Sequence, residues 1–272
     1  MKRNCLHLAL AVCVSGSLQA QIHPPKIGTA RLNDGTVRIV YGLPGNYVLD
    51  NKSLGFADVV SFSNSGGLVA QDGFIELLAP DHSTIASYRI EDKLPVLNID
   101  GSLTTAVAWL PHARTLVRWD GRSFCETPVN DPELRSSVSA VRLRNQHTAE
   151  LLLSGTDGSV SEATVSTETG SVISVRPLPG VQAPAFWQHS YLVYPGKGGL
   201  EIQDVSGIGQ TVFMPAENLA FERISSDNVH LTASNKHWIL HLGTGAIEIS
   251  ELPAQAPQHS ITAAIAGQEP NE

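Results

Sequence analysis

Four short β-prone runs between Asn218 and Pro253 constrain this chain more than any other feature. Asn218 to Ser225, Val229 to Ser234, His237 to Leu242 and Ala246 to Pro253 each alternate apolar with polar residues. The breaks between them are Asp227-Asn228, Ser234-Asn235-Lys236 and Gly243-Thr244-Gly245, which are hairpin-turn chemistry. Such a unit is a four-stranded antiparallel sheet. Alone it is too small to bury both faces, so it must stack on others of its kind.

The same grammar recurs upstream. One unit runs through Asp58–Ser63, Gly67–Ala70, Phe74–Ala79 and Thr84–Ile90, and a second through Pro95–Ile99, Thr104–Leu110, Thr115–Trp119 and Arg122–Val129. A third follows at Ser137–Arg144, Ala149–Leu153, Ser159–Val165 and Ser171–Leu178, and a fourth at Ala183–Trp187, Ser190–Tyr194, Leu200–Val205 and Gln210–Met214. The residues just before each third strand, Gly73, Arg114, Gly158, Gly199 and Lys236, lie 41, 44, 41 and 37 positions apart. Asp120-Gly121, Thr169-Gly170, Gly207 and Thr244-Gly245 all fall between third and fourth strands, where tight hairpins need positive φ. Thr36–Tyr41 and Tyr47–Asp50 make a further half unit, and no stretch holds a helical period over three turns.

A four-strand unit repeating about every forty residues is the period of a propeller blade. Val37 to Pro253 therefore resembles the β-propeller repeats of the WD40, YVTN and quinoprotein-like type. Trp119-Asp120 sits where WD40 repeats carry their namesake dipeptide, but in one unit only, and no Gly-His pair precedes the blades. The length is short of the eight blades of quinoprotein dehydrogenases, and no cofactor is expected. The resemblance implies an all-β fold, a single propeller of five to six four-stranded antiparallel blades over residues 35–253. Residues 21–34, with Pro24-Pro25, read as an extended leader, and residues 254–272 as a tail in which His259–Ala266 is the candidate ring-closing strand.

Residues 1–20 have a different character. Lys2 and Arg3 precede an apolar run, Leu6 to Val14, too short to span a bilayer, and Ala20 stands at a plausible cleavage position. This is the pattern of a secretory signal peptide, so a secreted or periplasmic chain with no transmembrane anchor after cleavage is expected. The mature chain keeps 16 basic against 26 acidic residues, a formal charge of −10, which makes a nucleic-acid partner a poor fit. Cys5 and Cys13 lie in the signal peptide, so Cys125 remains alone, without an internal disulfide and expected to be buried.

No motif imposes a chemistry. His237 and His241 have the spacing of a helical metal pair, but they lie in a strand pattern, where four residues span about 13 Å. Gly196-Lys197-Gly198-Gly199 lacks the Ser or Thr and the helix of a phosphate loop. Gly155-Thr156-Asp157-Gly158 lacks the alternating acids of a calcium loop. No Gly-x-Ser-x-Gly elbow occurs, and no metal site is expected. Asp58, Asp100 and Glu222, on or just beyond first strands, and Trp187 on another are the residues an axial funnel would use.

The favoured function is an exported binding or scaffold module for a protein or a small extracellular ligand. The alternative is an extracytoplasmic hydrolase, lactonase- or glycosidase-like, with an axial active site. In a propeller, the loops joining second to third strands share a face with those leading from one blade to the next. That face would carry Asp72, His112, Asp157, Lys197 and Lys236 from the first set, and Asp131, Glu133 and Arg135 from the long Asn130–Ser136 connection.

Overall fold

The computed structural model describes residues 24–131, 134, 137–215, 217–243 and 246–253. They form six antiparallel sheets, each built from consecutive strands. Blade 1 holds β1 (Lys26–Arg31), β2 (Thr36–Leu43) and β3 (Asn46–Phe56). Blade 2 holds β4 (Val59–Ser63), β5 (Gly66–Gln71), β6 (Phe74–Leu78) and β7 (Thr84–Arg89). Blade 3 holds β8 (Val96–Asn98), β9 (Val107–Leu110), β10 (Thr115–Trp119) and β11 (Phe124–Pro128), with a 3-10 turn at Leu103–Thr105. Blade 4 holds β12 (Ser137–Asn145), β13 (Thr148–Ser154), β14 (Ser159–Ser166) and β15 (Val172–Gln182). Blade 5 holds β16 (Phe186–Gln188), β17 (Tyr191–Gly196), β18 (Gly199–Gln203) and β19 (Gly209–Val212). Blade 6 holds β20 (Ala220–Arg223), β21 (Asn228–Ala233), β22 (Lys236–Gly243) and β23 (Ala246–Glu251). The fold is an all-β propeller of six blades.

The core lies between blades. Leu68, Ile75 and Leu77 of blade 2 meet Leu97, Ala108 and Val117 of blade 3, while Val107 and Leu116 on the other side of blade 3 meet Leu151 and Val165 of blade 4. Leu152, Val193, Ile202, Leu231 and Leu240 join blades 4, 5 and 6. Strand alternation produces this, because successive side chains leave a blade through opposite faces and each face is covered by a neighbour. Each fully buried Leu or Ile contributes about 1.5–3 kcal/mol relative to exposure.

Ring closure departs from the sequence expectation. Lys26–Arg31, placed by the sequence reading in the leader, forms the innermost strand of blade 1 and pairs antiparallel with β2 from Lys26↔Tyr41 to Arg31↔Val37. The half blade gains this strand on its inner side, and its other two extend to Leu43 and Phe56. Thr29 N–H donates to the Ile224 carbonyl at 3.1 Å, stitching β1 to blade 6. Gly28 makes that approach possible: a Cβ there would collide with the Ile224 carbonyl oxygen. Ala30, Val40 and Tyr47 then pack with Ile224, Ile239 and Leu252 across the seam. Pro24-Pro25 obscured the strand, since proline resists sheet, yet both precede β1, and the Pro25 carbonyl still accepts the Gly42 N–H at 2.9 Å, a bond that asks for no N–H from proline. The proposed closing strand His259–Ala266 lies outside the described residues.

Two further details differ. Cys125 is half-buried on the outermost strand of blade 3 rather than buried, its Sγ donating to Asp120 Oδ2 at 3.4 Å. Blade 1 stands back from the axis, because β20 touches β4 directly. No helix among the described residues is long and apolar enough to cross a membrane.

Candidate functional site

Five of the six innermost strands enclose a cavity of about 180 Å³. Val59 and Val60 of β4, Val96, Leu97 and Asn98 of β8, Ser139 to Val141 of β12, Phe186 and Trp187 of β16, and Phe221 to Arg223 of β20 line it, which places it on the propeller axis. First strands all run from the inter-blade-loop face toward the opposite face. Val59 and Pro95, at strand starts, therefore stand near the first face, and Arg223, at the end of β20, near the other. The Phe186 and Phe221 rings stack in the wall, centroids 5.6 Å apart and 14° from parallel.

Arg223 closes the far end. Its side chain is 2 % exposed. It leaves blade 6 and donates from Nη1 to Asp100 Oδ1 of blade 3, diametrically opposite, at 3.0 Å. Nη2 donates to the Trp187 carbonyl of blade 5 at 2.9 Å. Burial pushes the guanidinium pKa down, and the Asp100 carboxylate pulls it partly back. Thr105, in the 3-10 turn, holds Asp100 in place: its Oγ1 accepts the Asp100 N–H at 2.9 Å and donates to the Asp100 carbonyl.

A polar layer continues outward from this tie. His189, at φ 52, sets Nδ1 at 3.5 Å from Asp100 Oδ1 and Nε2 at 3.4 Å from Asp227 Oδ1. Buried Gln188 donates to the carbonyls of Ser225, at 3.2 Å, and Ser226. Arg142 lies 4.2 Å above the Trp187 ring, and its Nε donates to Glu150 Oε2 at 2.7 Å.

The carboxylates that sequence reading assigned to a funnel do not converge. Asp58 is exposed at the start of β4. Asp100 is tied to Arg223, and Glu222 turns toward blade 1, where Arg31 Nε donates to its Oε1 at 2.7 Å. Trp187 does line the axis, 5 % exposed. Arg223 was not singled out, although an arginine ending the apolar-alternating run of β20 was the available signal.

Glu222 begins a second buried polar chain, between blades 6 and 1. His230 Nδ1 stands 3.5 Å from Glu222 Oε2, and His230 Nε2 is 2.8 Å from His237 Nδ1, the rings stacked at 5.0 Å. Burial and the neighbouring His230 push the His237 pKa down to about 4. His241 instead meets Asn228 Oδ1 at 3.0 Å, so the two strand histidines have different partners. Among the described residues no group of three His, Cys, Asp or Glu is arranged to hold a metal ion.

The loop residues expected to bind a partner occupy five hairpins on five blades. Asp72, His112, Asp157, Lys197 and Lys236 are all exposed at second-to-third-strand turns. Asp72 adopts φ 50. The His112 N–H donates to Asp92 Oδ1 at 2.7 Å, which pins one inter-blade connection to a neighbouring hairpin. Asp157 Oδ1 accepts from Ser159 N and Oγ at 3.0 and 2.6 Å, a turn-forming role. Lys236 Nζ pairs with Glu251 Oε1 at 3.0 Å and lies 5.9 Å from the Trp238 ring centre. Lys197 is at the tip of the β17–β18 hairpin. Asp131 is half-buried, and Glu133 and Arg135 lie outside the described residues.

No protein-family model matches the chain, and no curated protein does. Solved structures resemble it in architecture. Hydrazine synthase of Kuenenia stuttgartiensis is 12% identical over 84% of this chain and 80% of its own, with a TM-score of 0.47. BamB from Moraxella catarrhalis is 13% identical over 82% and 77%, TM-score 0.38. The BBS1N chain crystallised in complex with ARL6DN is 11% identical over 85% and 81%, TM-score 0.42. At such identities the likeness concerns the path of the backbone, and the chemistry of the site rests on the residues above.

Proposed function

We propose that this chain is an exported binding module that holds a small ligand on the propeller axis without transforming it. The observation carrying this reading is the axial lining: Val59, Val60, Val96, Leu97, Ala140, Val141, Phe186 and Phe221 surround the cavity, while Asp100 and Glu222 are each held by an arginine. A hydrolase needs a carboxylate free to take or give a proton beside its substrate. Here each carboxylate is paired with an arginine, Asp100 with buried Arg223 and Glu222 with half-buried Arg31. The hairpins bearing Asp72, His112, Asp157, Lys197 and Lys236 share the face on which the cavity begins, so a protein partner docking there would meet the ligand's entrance.

Two measurements test the reading. Purified protein incubated with chromogenic lactones and glycosides should show no turnover above buffer. Turnover lost in Asp100→Asn or Glu222→Gln would overturn the binding reading in favour of hydrolysis. Export is tested by the mass of the protein recovered outside the cytoplasm, which should correspond to a chain beginning near Gln21. An intact Met1 or Lys2 terminus would overturn it.

A further inference from the structure

The axial cavity carries two buried donors that nothing satisfies. Asn98 Nδ2 and Arg223 Nε have no hydrogen-bond partner among the described residues, and both residues line the cavity. Asn98 is 4 % exposed and Arg223 2 %. Unmet buried donors are costly, about 1–3 kcal/mol each, so a site with two of them favours an occupant that accepts hydrogen bonds.

The charges decide what kind of acceptor. Arg223 is already balanced by Asp100 at 3.0 Å, so a carboxylate or phosphate would bring an uncompensated charge into an apolar wall. A carbonyl oxygen has two lone pairs and no charge, matching two donors. The stacked Phe186 and Phe221 rings offer a flat apolar wall beside them. A cavity of roughly 150 Å³ admits a benzene ring, so this one, at 180 Å³, has room for a single ring with a short carbonyl substituent.

Resting on the reading of the axis as a binding site, we propose that the cavity takes a small neutral molecule with a carbonyl group on a flat apolar body. Its oxygen accepts from Asn98 Nδ2 and Arg223 Nε, and its body lies along Phe186 and Phe221.

Acetophenone, toluene and benzoate separate the contributions, because they share a ring and differ in the acceptor and its charge. Ligand-observed NMR titration of the full chain should show saturable acetophenone binding, with toluene, which offers neither donor an acceptor, about a hundredfold weaker and benzoate about tenfold weaker. Asn98→Leu, which replaces an unmet donor by an apolar side chain of similar size, should keep the wild-type melting temperature and weaken acetophenone about tenfold while leaving toluene unchanged. Toluene binding as tightly as acetophenone, or an unchanged acetophenone affinity in Asn98→Leu, would overturn the role of the donors. Tighter benzoate would overturn the neutral class. No saturation by any of the three up to about 10 mM would overturn the site itself. None of these results alters the turnover test, so failure here is distinguishable from failure of the binding reading.

Discussion

His237, whose spacing to His241 is that of a helical metal pair but which lies in a strand, acts as a stability sensor. Its ring is stacked on His230 and its pKa is pushed from 6.5 down to about 4, mainly by burial and then by His230. A base with a lowered folded pKa binds fewer protons folded than unfolded between the two values. Its contribution is therefore intact above about pH 6.5 and is lost as the pH falls toward 4. The expected loss over that window is on the order of 2 kcal/mol, after discounting the full shift for partial exposure to water. Urea titrations at pH 7, 5.5 and 4.5 should show it, and His237→Gln should flatten the dependence. Asp34, Asp81, Asp157 and Asp204 act in a lower window. Each carboxylate accepts a hydroxyl at 2.6 Å from the Ser or Thr two residues on, which lowers its pKa, so what it contributes is lost only as pH drops through and below the ordinary carboxylate value. That Asp-x-Ser/Thr turn is legible in sequence. The His230–His237 contact is not, because it depends on the diagonal register of β21 against β22 and on blade 1 covering both.

At the scale of the element, β1 and β19 mark the two ways a blade can be finished. β1 closes the ring by lying against Ile224, and only a glycine fits at residue 28. Gly28→Val should cost about 1–3 kcal/mol through overpacking at that seam, read as a lower urea midpoint with an unchanged slope. A midpoint equal to wild type would show that β1 does not hold the ring shut. β19 ends blade 5 with an open outer edge. Its residues Gly209–Val212 carry neither charge nor proline, and Val205, Ile208 and Phe213 beside it are 86, 73 and 86 % exposed. The other outer strands carry Asp50 and Lys52, Arg89, Glu126, Arg176 with Pro177, and Glu248 with Glu251. Such charges and prolines discourage edge-to-edge pairing. Thr211→Lys should therefore reduce any concentration-dependent association in sedimentation velocity without lowering the melting temperature. An unchanged association would place the contact elsewhere.

At the scale of the whole molecule, Arg223 joins what the sheets leave separate. Its guanidinium crosses the axis from blade 6 to Asp100 of blade 3 and the Trp187 carbonyl of blade 5. Arg223→Met leaves Asp100 near the axis without its cation. The expected loss is about 3 kcal/mol, measurable as a fall in melting temperature that Asp100→Asn in the same chain partly restores. A melting temperature equal to wild type would mean that the cross-axis tie contributes nothing to the ring. Strand positions, blade order and the all-β class were legible in the sequence because each is encoded locally: alternation of period two, turn residues at hairpins and a unit recurring about every forty residues. The twenty strands from β4 to β23 that were expected and found share this origin, with only their ends shifting. The ring's closure by Lys26–Arg31, the withdrawal of blade 1 from the axis and the pairing of Arg223 with Asp100 were decided by tertiary structure alone. They depend on which residues meet after the chain has turned a full circle, and separations of 123 residues, as between Arg223 and Asp100, leave no periodic trace in the sequence.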